Sequence, residues 1–235
     1  MLKNILITGL LVFNFIFCNK IIQTEWGMCT VNNEELSITN IHLIELINNK
    51  INSLNMLYGP IPRTQFKILI YTNSSAVIQN NHWDWSLGIT YKNNNKIIIK
   101  DPAFAHISMA RFSQVLEHEL NHLMLNQIDL NNSVPRWFKE GFAMLSSNEI
   151  SMQHKIKTMQ LIFNDRLARL NELIVFYNNN QEDFLFNYAQ SAIYVETIQK
   201  IYGKQIFKLI INDLKNNVNF NQAINNATGN NINTI

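Results

Sequence analysis

Two histidines one helical turn apart, with a carboxylate beside the first, stand in the middle of this sequence as His118-Glu119-Leu120-Asn121-His122. On a helix of 3.6 residues per turn, side chains at i and i+4 lie over one face, about 6 Å apart at their Cβ atoms. Two imidazoles so placed converge on one small cation, and Glu119 reaches a water held by it. The pattern H-E-x-x-H implies Zn²⁺ and metal-assisted hydrolysis, most often of a peptide bond. The chain has 6 histidines in 235 residues, so a chance match at this spacing is rare. The competing reading is a surface helix carrying two solvated histidines.

Two histidines leave such a cation short, because a catalytic zinc usually has three protein ligands and one open position. The best candidate for the third is Glu140, which lies 18 residues after His122 on a separate predicted helix. The turn Ile128–Val134 is long enough to fold that helix back beside the first. Ser133 reads as its cap and Pro135 as a residue of its first turn. Trp137 is expected to pack it on the active-site helix, with Gly141 and Ala143 allowing close approach.

The rest of the chain must position these groups. At 47% hydrophobic and 15% charged residues it can bury a sizeable core. A net charge of +2 is too weak to argue for nucleic acid or for an anionic membrane surface. Asparagine runs such as Asn93–Asn95 and Asn178–Asn180 fall where turns are expected, and read as coding bias. At the amino terminus, Lys3 precedes an apolar run from Ile5 to Phe17 that suits a signal-peptide core better than a membrane span. Residues 1–20 are therefore read as a signal peptide or an amino-terminal membrane or lipid anchor. Cys18 stands where a lipidated cysteine would be, although Phe15-Ile16-Phe17 is a poor lipidation context. Export to the periplasm or cell envelope follows from this reading. The only other cysteine is Cys29, so no disulfide framework is expected.

Hydrophobic periodicity places an extended segment at Ile21–Val31, a helix at Glu34–Leu57 and a buried strand at Phe66–Thr72. Leu87–Tyr91 and Lys96–Lys100 form a hairpin around Asn93–Asn95. Helices follow at Ile107–Gln127, Arg136–Ser146, Met152–Phe163, Arg166–Phe176, Asp183–Tyr202, Gln205–Lys215 and Phe220–Ala227. The fold class is α+β: residues 21–235 form one domain, with an α/β lobe at 21–105 and a helical lobe at 106–235.

His118-Glu-Leu-Asn-His122 followed by Pro135-Arg-Trp-Phe-Lys-Glu140-Gly-Phe-Ala143 resembles the gluzincin metallopeptidases, specifically the bacterial group called peptidase MA-like. Tyr188–Val195, Ile201–Gly203, Tyr58-Gly59-Pro60 and Phe66–Tyr71 support the resemblance, which covers roughly Ile21 to Gly229. It implies a thermolysin-like fold with a small amino-terminal twisted sheet, a helical carboxy-terminal lobe and a cleft between them. It also implies Glu140 as third zinc ligand beside His118 and His122. No G-x-M-E-N-type amine-binding motif is visible, which points to an endopeptidase rather than an aminopeptidase.

The expected mechanism has Zn²⁺ on His118, His122 and Glu140 lower the pKa of its water toward about 7. Glu119 takes the proton, the hydroxide attacks the scissile carbonyl, and Glu119 returns the proton to the leaving amine. Tyr188 is the candidate donor to the oxyanion, the alternative being a packed helix aromatic. An extended peptide or protein substrate is expected to pair with Leu87–Tyr91, with Lys96–Lys100 as the rival edge. His82, His106, Trp83 and Trp85 read as structural or solvent-facing. The carboxylate that orients a zinc histidine is open among Asp165, Glu182, Asp183 and Glu196. The functional class is thus an exported zinc metallopeptidase, expected to be a monomer. Two alternatives are a catalytically silent zinc-binding or surface-interaction protein of the same fold, and a helical module with a fortuitous motif.

Overall fold

Isoleucines two residues apart build the sheet. Ile68 and Ile70 on one strand stand in register with Ile97 and Ile99 on the next, so all four share a face, and all four are buried. The computed structural model describes residues 20–23, 28–31, 37–59, 66–72, 86–170, 173 and 181–230. Residues 1–19, with most of the segment read as a signal peptide or anchor, lie outside them, as do His82, Trp83 and Trp85. Five strands, β1 (Lys20–Gln23), β2 (Met28–Val31), β3 (Lys67–Tyr71), β4 (Gly88–Tyr91) and β5 (Lys96–Lys100), form one sheet in the order β1-β2-β3-β5-β4. The inner pairs β2–β3 and β3–β5 are parallel, and the outer pairs are antiparallel. The segment Ile21–Val31 is thus two antiparallel strands rather than one. The β4–β5 hairpin turns through Lys92–Asn94, with Asn95 in the left-handed region at φ 47°. Strand β5 is interior, so the rival substrate edge at Lys96–Lys100 is removed: both of its sides are already paired. Strand β4 is the edge.

Seven described helices complete the fold: α1 (Asn40–Tyr58), α2 (Met109–Ile128), α3 (Arg136–Ser146), α4 (Met152–Phe163), α5 (Gln181–Tyr202), α6 (Ile206–Lys215) and α7 (Phe220–Thr228). The class is α+β. Helix α1 begins six residues later than its periodicity suggests, at a Thr39 cap whose side chain accepts from the His42 amide. It buries Leu43, Ile47, Ile51, Leu54 and Tyr58, while Ile41 in its first turn is exposed. No helix covers Arg166–Leu170, where a helix through Phe176 is expected. Asp165 at φ 51° ends α4 in a left-handed turn, and Ala168 is tied instead to the Gln190 and Tyr194 side chains on α5. One continuous core runs from α1, β3 and β5 through α2 into α3, α6 and α7.

Helix α2 is the spine. Its motif residue Asn121 is fully buried and hydrogen-bonded on both sides: Tyr58 Oη donates to its Oδ1 at 3.0 Å, and its Nδ2 donates to Ser146 Oγ at 2.9 Å. A buried amide satisfied by two neighbouring helices fixes the rotation of α2 about its axis, since any other rotation leaves it unpaired. That rotation aims the histidines.

Candidate metal centre

Helix α3 returns beside α2 because of Asp129. Its buried carboxylate accepts the Ser133 amide at 2.7 Å and the Val134 amide at 3.3 Å, and pairs with Lys139 Nζ at 2.9 Å. Ser133 therefore serves this turn and the α7 start, where it accepts the Phe220 amide at 3.0 Å, instead of capping α3. The capping position belongs to Pro135, whose carbonyl accepts from Phe138 and Lys139. Trp137 packs its ring against Tyr194 and Phe220. Gly141 likewise closes on α5: a Cβ there would stand 2.3 Å from the Ser191 carbonyl oxygen and 2.6 Å from Val195. Trp137 and Gly141, one turn apart, use the face of α3 turned to the later helices. Glu140 is left to face α2.

The result is a tight triangle of donor atoms. His118 Nε2 and His122 Nε2 are 3.1 Å apart, and Glu140 Oε2 lies 3.2 Å from the second and 3.5 Å from the first. Zinc–ligand bonds of about 2.0–2.1 Å in tetrahedral geometry require donors about 3.3–3.4 Å apart. The observed spacings fit. Among the described residues, His118, His122 and Glu140 are the group of three suited to hold a metal. The electrostatics fit too. Burial opposes a charge on His118, but Glu140, Glu149 and Glu119 outweigh it and raise the imidazole to about 10. Burial also opposes the charge on Glu140, and the two imidazoles override it, holding the carboxyl well below the usual range. The centre is arranged around positive charge.

Three further groups frame it. Glu149 Oε1 lies 3.4 Å from His118 Nδ1, the ring nitrogen opposite the triangle. Glu149 is itself held by Arg111 at 3.2 Å and by the Ser147 hydroxyl at 3.0 Å. Burial pushes its carboxyl up, but His118, Arg111 and Ser147 bring it to about 2. Of the four carboxylates proposed from sequence, the two whose side chains are described, Asp165 and Glu196, do not take this role. Asp165 is exposed, Glu196 pairs with Lys155 and Lys200, and the side chains of Glu182 and Asp183 lie outside the described residues. Glu149 is aimed by a left-handed Asn148 at φ 56°, which reverses the chain after α3. The Glu149 amide bonds the Met144 carbonyl and the Asn148 amide bonds that of Leu145, a Schellman stop. Ser-Ser-Asn-Glu at a helix end was the available signal. Arg136 Nε faces the other Glu140 oxygen at 3.4 Å, leaving Oε2 for the triangle.

Glu119 lies one residue on from His118, beneath the edge strand. Thr90 Oγ1 donates to its Oε2 at 2.7 Å. Burial raises its carboxyl, against the pull of His118, His122 and Thr90. Gly88 passes so close that a Cβ there would stand 2.9 Å from Glu119 Cγ. Tyr188 on α5 lines the same cleft as Glu119 and packs its ring against Phe184, with centroids 4.4 Å apart. Burial raises its phenol well above the ordinary value, reinforced by Glu140. All five residues singled out from sequence are therefore brought together, while His106, in a left-handed turn at φ 53° before α2, is apart from them. A cavity of about 470 Å³ opens on His118 and Glu119, between Ser86–Gly88 on one side and Phe184, Leu185 and Tyr188 on the other.

The family model of the Peptidase MA superfamily matches residues 47–235, which include the whole centre. The chain belongs to that superfamily. Among solved structures it is similar to an M1 zinc metallopeptidase mutant from Deinococcus radiodurans, at a TM-score of 0.50 and 11% identity. The match covers 88% of this chain but 46% of that one, so the likeness is one of fold over about half the neighbour's length. No curated protein sequence matches the chain.

Proposed function

We propose that this protein is a zinc-dependent endopeptidase, exported to the cell envelope by its leader and acting as a monomer on extended peptide or protein segments. The observation that carries the reading is the donor triangle of His118, His122 and Glu140, at 3.1–3.5 Å, with Glu119 beside it on the same cleft. When bound there, Zn²⁺ supplies Lewis acidity, polarising a carbonyl and lowering the pKa of water toward about 7. The protein's own groups do the rest. Glu119, made more basic by burial, takes the proton of the attacking water and returns it to the leaving amine. Thr90 holds the Glu119 carboxylate in place. The Tyr188 hydroxyl donates to the oxygen on which charge develops. Strand β4, outermost in the sheet among the described residues, would pair with a strand-like substrate received in the cleft.

The test profiles cleavage of a mixed peptide library by the purified protein, with and without chelator, alongside Glu119→Gln. The expected result is internal cleavage abolished by chelator and lowered by about 100-fold or more in the variant, which keeps its zinc. Equal cleavage by Glu119→Gln would remove the assignment, and a zinc-loaded protein inert toward the library would favour a silent zinc-binding role.

A further inference from the structure

Helix α4 is turned inside out. It buries Thr158 and Leu161 against the rest of the protein, while Met152, Ile156, Met159 and Phe163 are exposed, Met152 at 69% and Phe163 at 80%. These four follow the spacing i, i+4, i+7, i+11, which is one continuous stripe along the helix. Ile162 and Leu167 extend it, at 53% and 41% exposed. Single exposed apolar residues need no explanation, but a contiguous apolar strip calls for something to cover it.

The charge of the same stretch says what. Residues 152–170 carry Lys155, Lys157, Arg166 and Arg169 against Asp165 alone, a balance of +3 in a chain whose total is +2. Glu196 pairs with Lys200 at 2.9 Å and with Lys155 at 3.2 Å, so counting these two neighbours leaves the balance at +3. An apolar stripe with a cationic border matches the interface of an anionic bilayer, where the stripe enters the acyl boundary and the cations meet headgroups. A second copy of the chain fits poorly. A two-fold interface would set the cationic stretch against itself. A twelve-residue helix is also only about 18 Å long, and one stripe on it falls short of the roughly 800 Å² per partner that a stable dimer buries.

We propose that α4 and the turn after it form a docking element that seats the protein on anionic lipid surfaces. Gln153, His154 and Lys157 of the same helix line the cleft, so docking brings the centre near the bilayer. Binding does not depend on what the cleft hydrolyses, and it acts beside any anchoring by the leader.

The experiment is co-sedimentation of the full chain with phosphatidylcholine vesicles, with and without phosphatidylglycerol. The wild type is compared with Ile156→Ser/Met159→Ser/Phe163→Ser, which leaves the amino-terminal apolar run intact. The expected result is binding enhanced by phosphatidylglycerol, weakened by salt, and lowered about tenfold or more in the triple variant. Should that variant fold poorly, Phe163→Ser, at the most exposed position, is expected to lose about threefold on its own. Equal binding by wild type and variants overturns the proposal, as does binding indifferent to phosphatidylglycerol. So does a wild-type dimer in sedimentation that the substitutions dissociate, which would make the stripe an interface between copies.

Discussion

Glu149 sits nine residues past Glu140, outside both motifs, yet it is the carboxylate that faces the back of the His118 ring at 3.4 Å. With zinc bound, a carboxylate drawn onto Nδ1 would leave Nε2 for the cation and make it a better donor. Glu149→Gln keeps the shape and loses the charge. Zinc affinity, measured by competition with a chelator, is expected to fall about 10–100-fold, with an unchanged circular dichroism spectrum. Unchanged affinity would leave Glu149 as a structural partner of Arg111 alone. Gly88 acts at the same scale from the other side. In Gly88→Ala the new Cβ would meet Glu119 Cγ at 2.9 Å and Val115 Cγ1 at 3.0 Å, so the base must move. A displacement near 1 Å costs about 100-fold in rate, so kcat is expected to drop by about that factor while zinc content holds. An unchanged kcat would show that the strand, not Glu119, yields.

At the scale of elements, the centre depends on how closely α3 lies to α5 and how α2 is rotated. Gly141 is the point of closest approach, 2.3 Å from a carbonyl oxygen once a Cβ is added. Alanine would improve helix propensity by about 1 kcal/mol, since glycine is the poorer helix former. The clash is with backbone, which cannot swing aside, and overpacking costs about 1–3 kcal/mol or more. Gly141→Ala is therefore expected to be destabilising overall, read as a lower urea midpoint. It should also weaken zinc binding, because Glu140 precedes it. Stabilisation would mean that α3 and α5 separate easily. The helices were largely legible from the 3.6-residue period, and α3 was placed to the residue. The failures share a cause. Ser133 reads as the α3 cap on local grounds, and the distant Phe220 amide at the α7 start claims its hydroxyl. The stretch after α4 has apolar periodicity, but Asp165 turns the chain and Gln190 takes its backbone bonds.

For the whole molecule, the triangle joins residues from two helices that meet only in the folded state, so bound zinc stabilises the fold. At a zinc concentration 100 times Kd the gain is about 2.7 kcal/mol. For a chain of 235 residues that corresponds to a rise in Tm of about 5–10 °C over the chelated protein. Differential scanning calorimetry measures it, and His118→Ala is expected to remove the zinc-dependent shift. A Tm indifferent to chelator in the wild type would mean that the centre does not hold zinc tightly.

By itself the sequence pointed to the chemistry proposed, because two histidines four residues apart with a carboxylate between them are a local property of one helix. It also placed Glu140 on a separate helix as the candidate third donor, since the spacing and flanking residue types form a recognisable block. Tertiary structure decided everything that depends on which distant segments become neighbours. Strand order made Leu87–Tyr91 an edge and closed Lys96–Lys100. The turn on Asp129 closed the triangle, Asn121 set the rotation of α2, and Thr90 and Glu149 came to hold Glu119 and His118. Such pairings follow from packing between segments far apart in the chain, and no local periodicity records them.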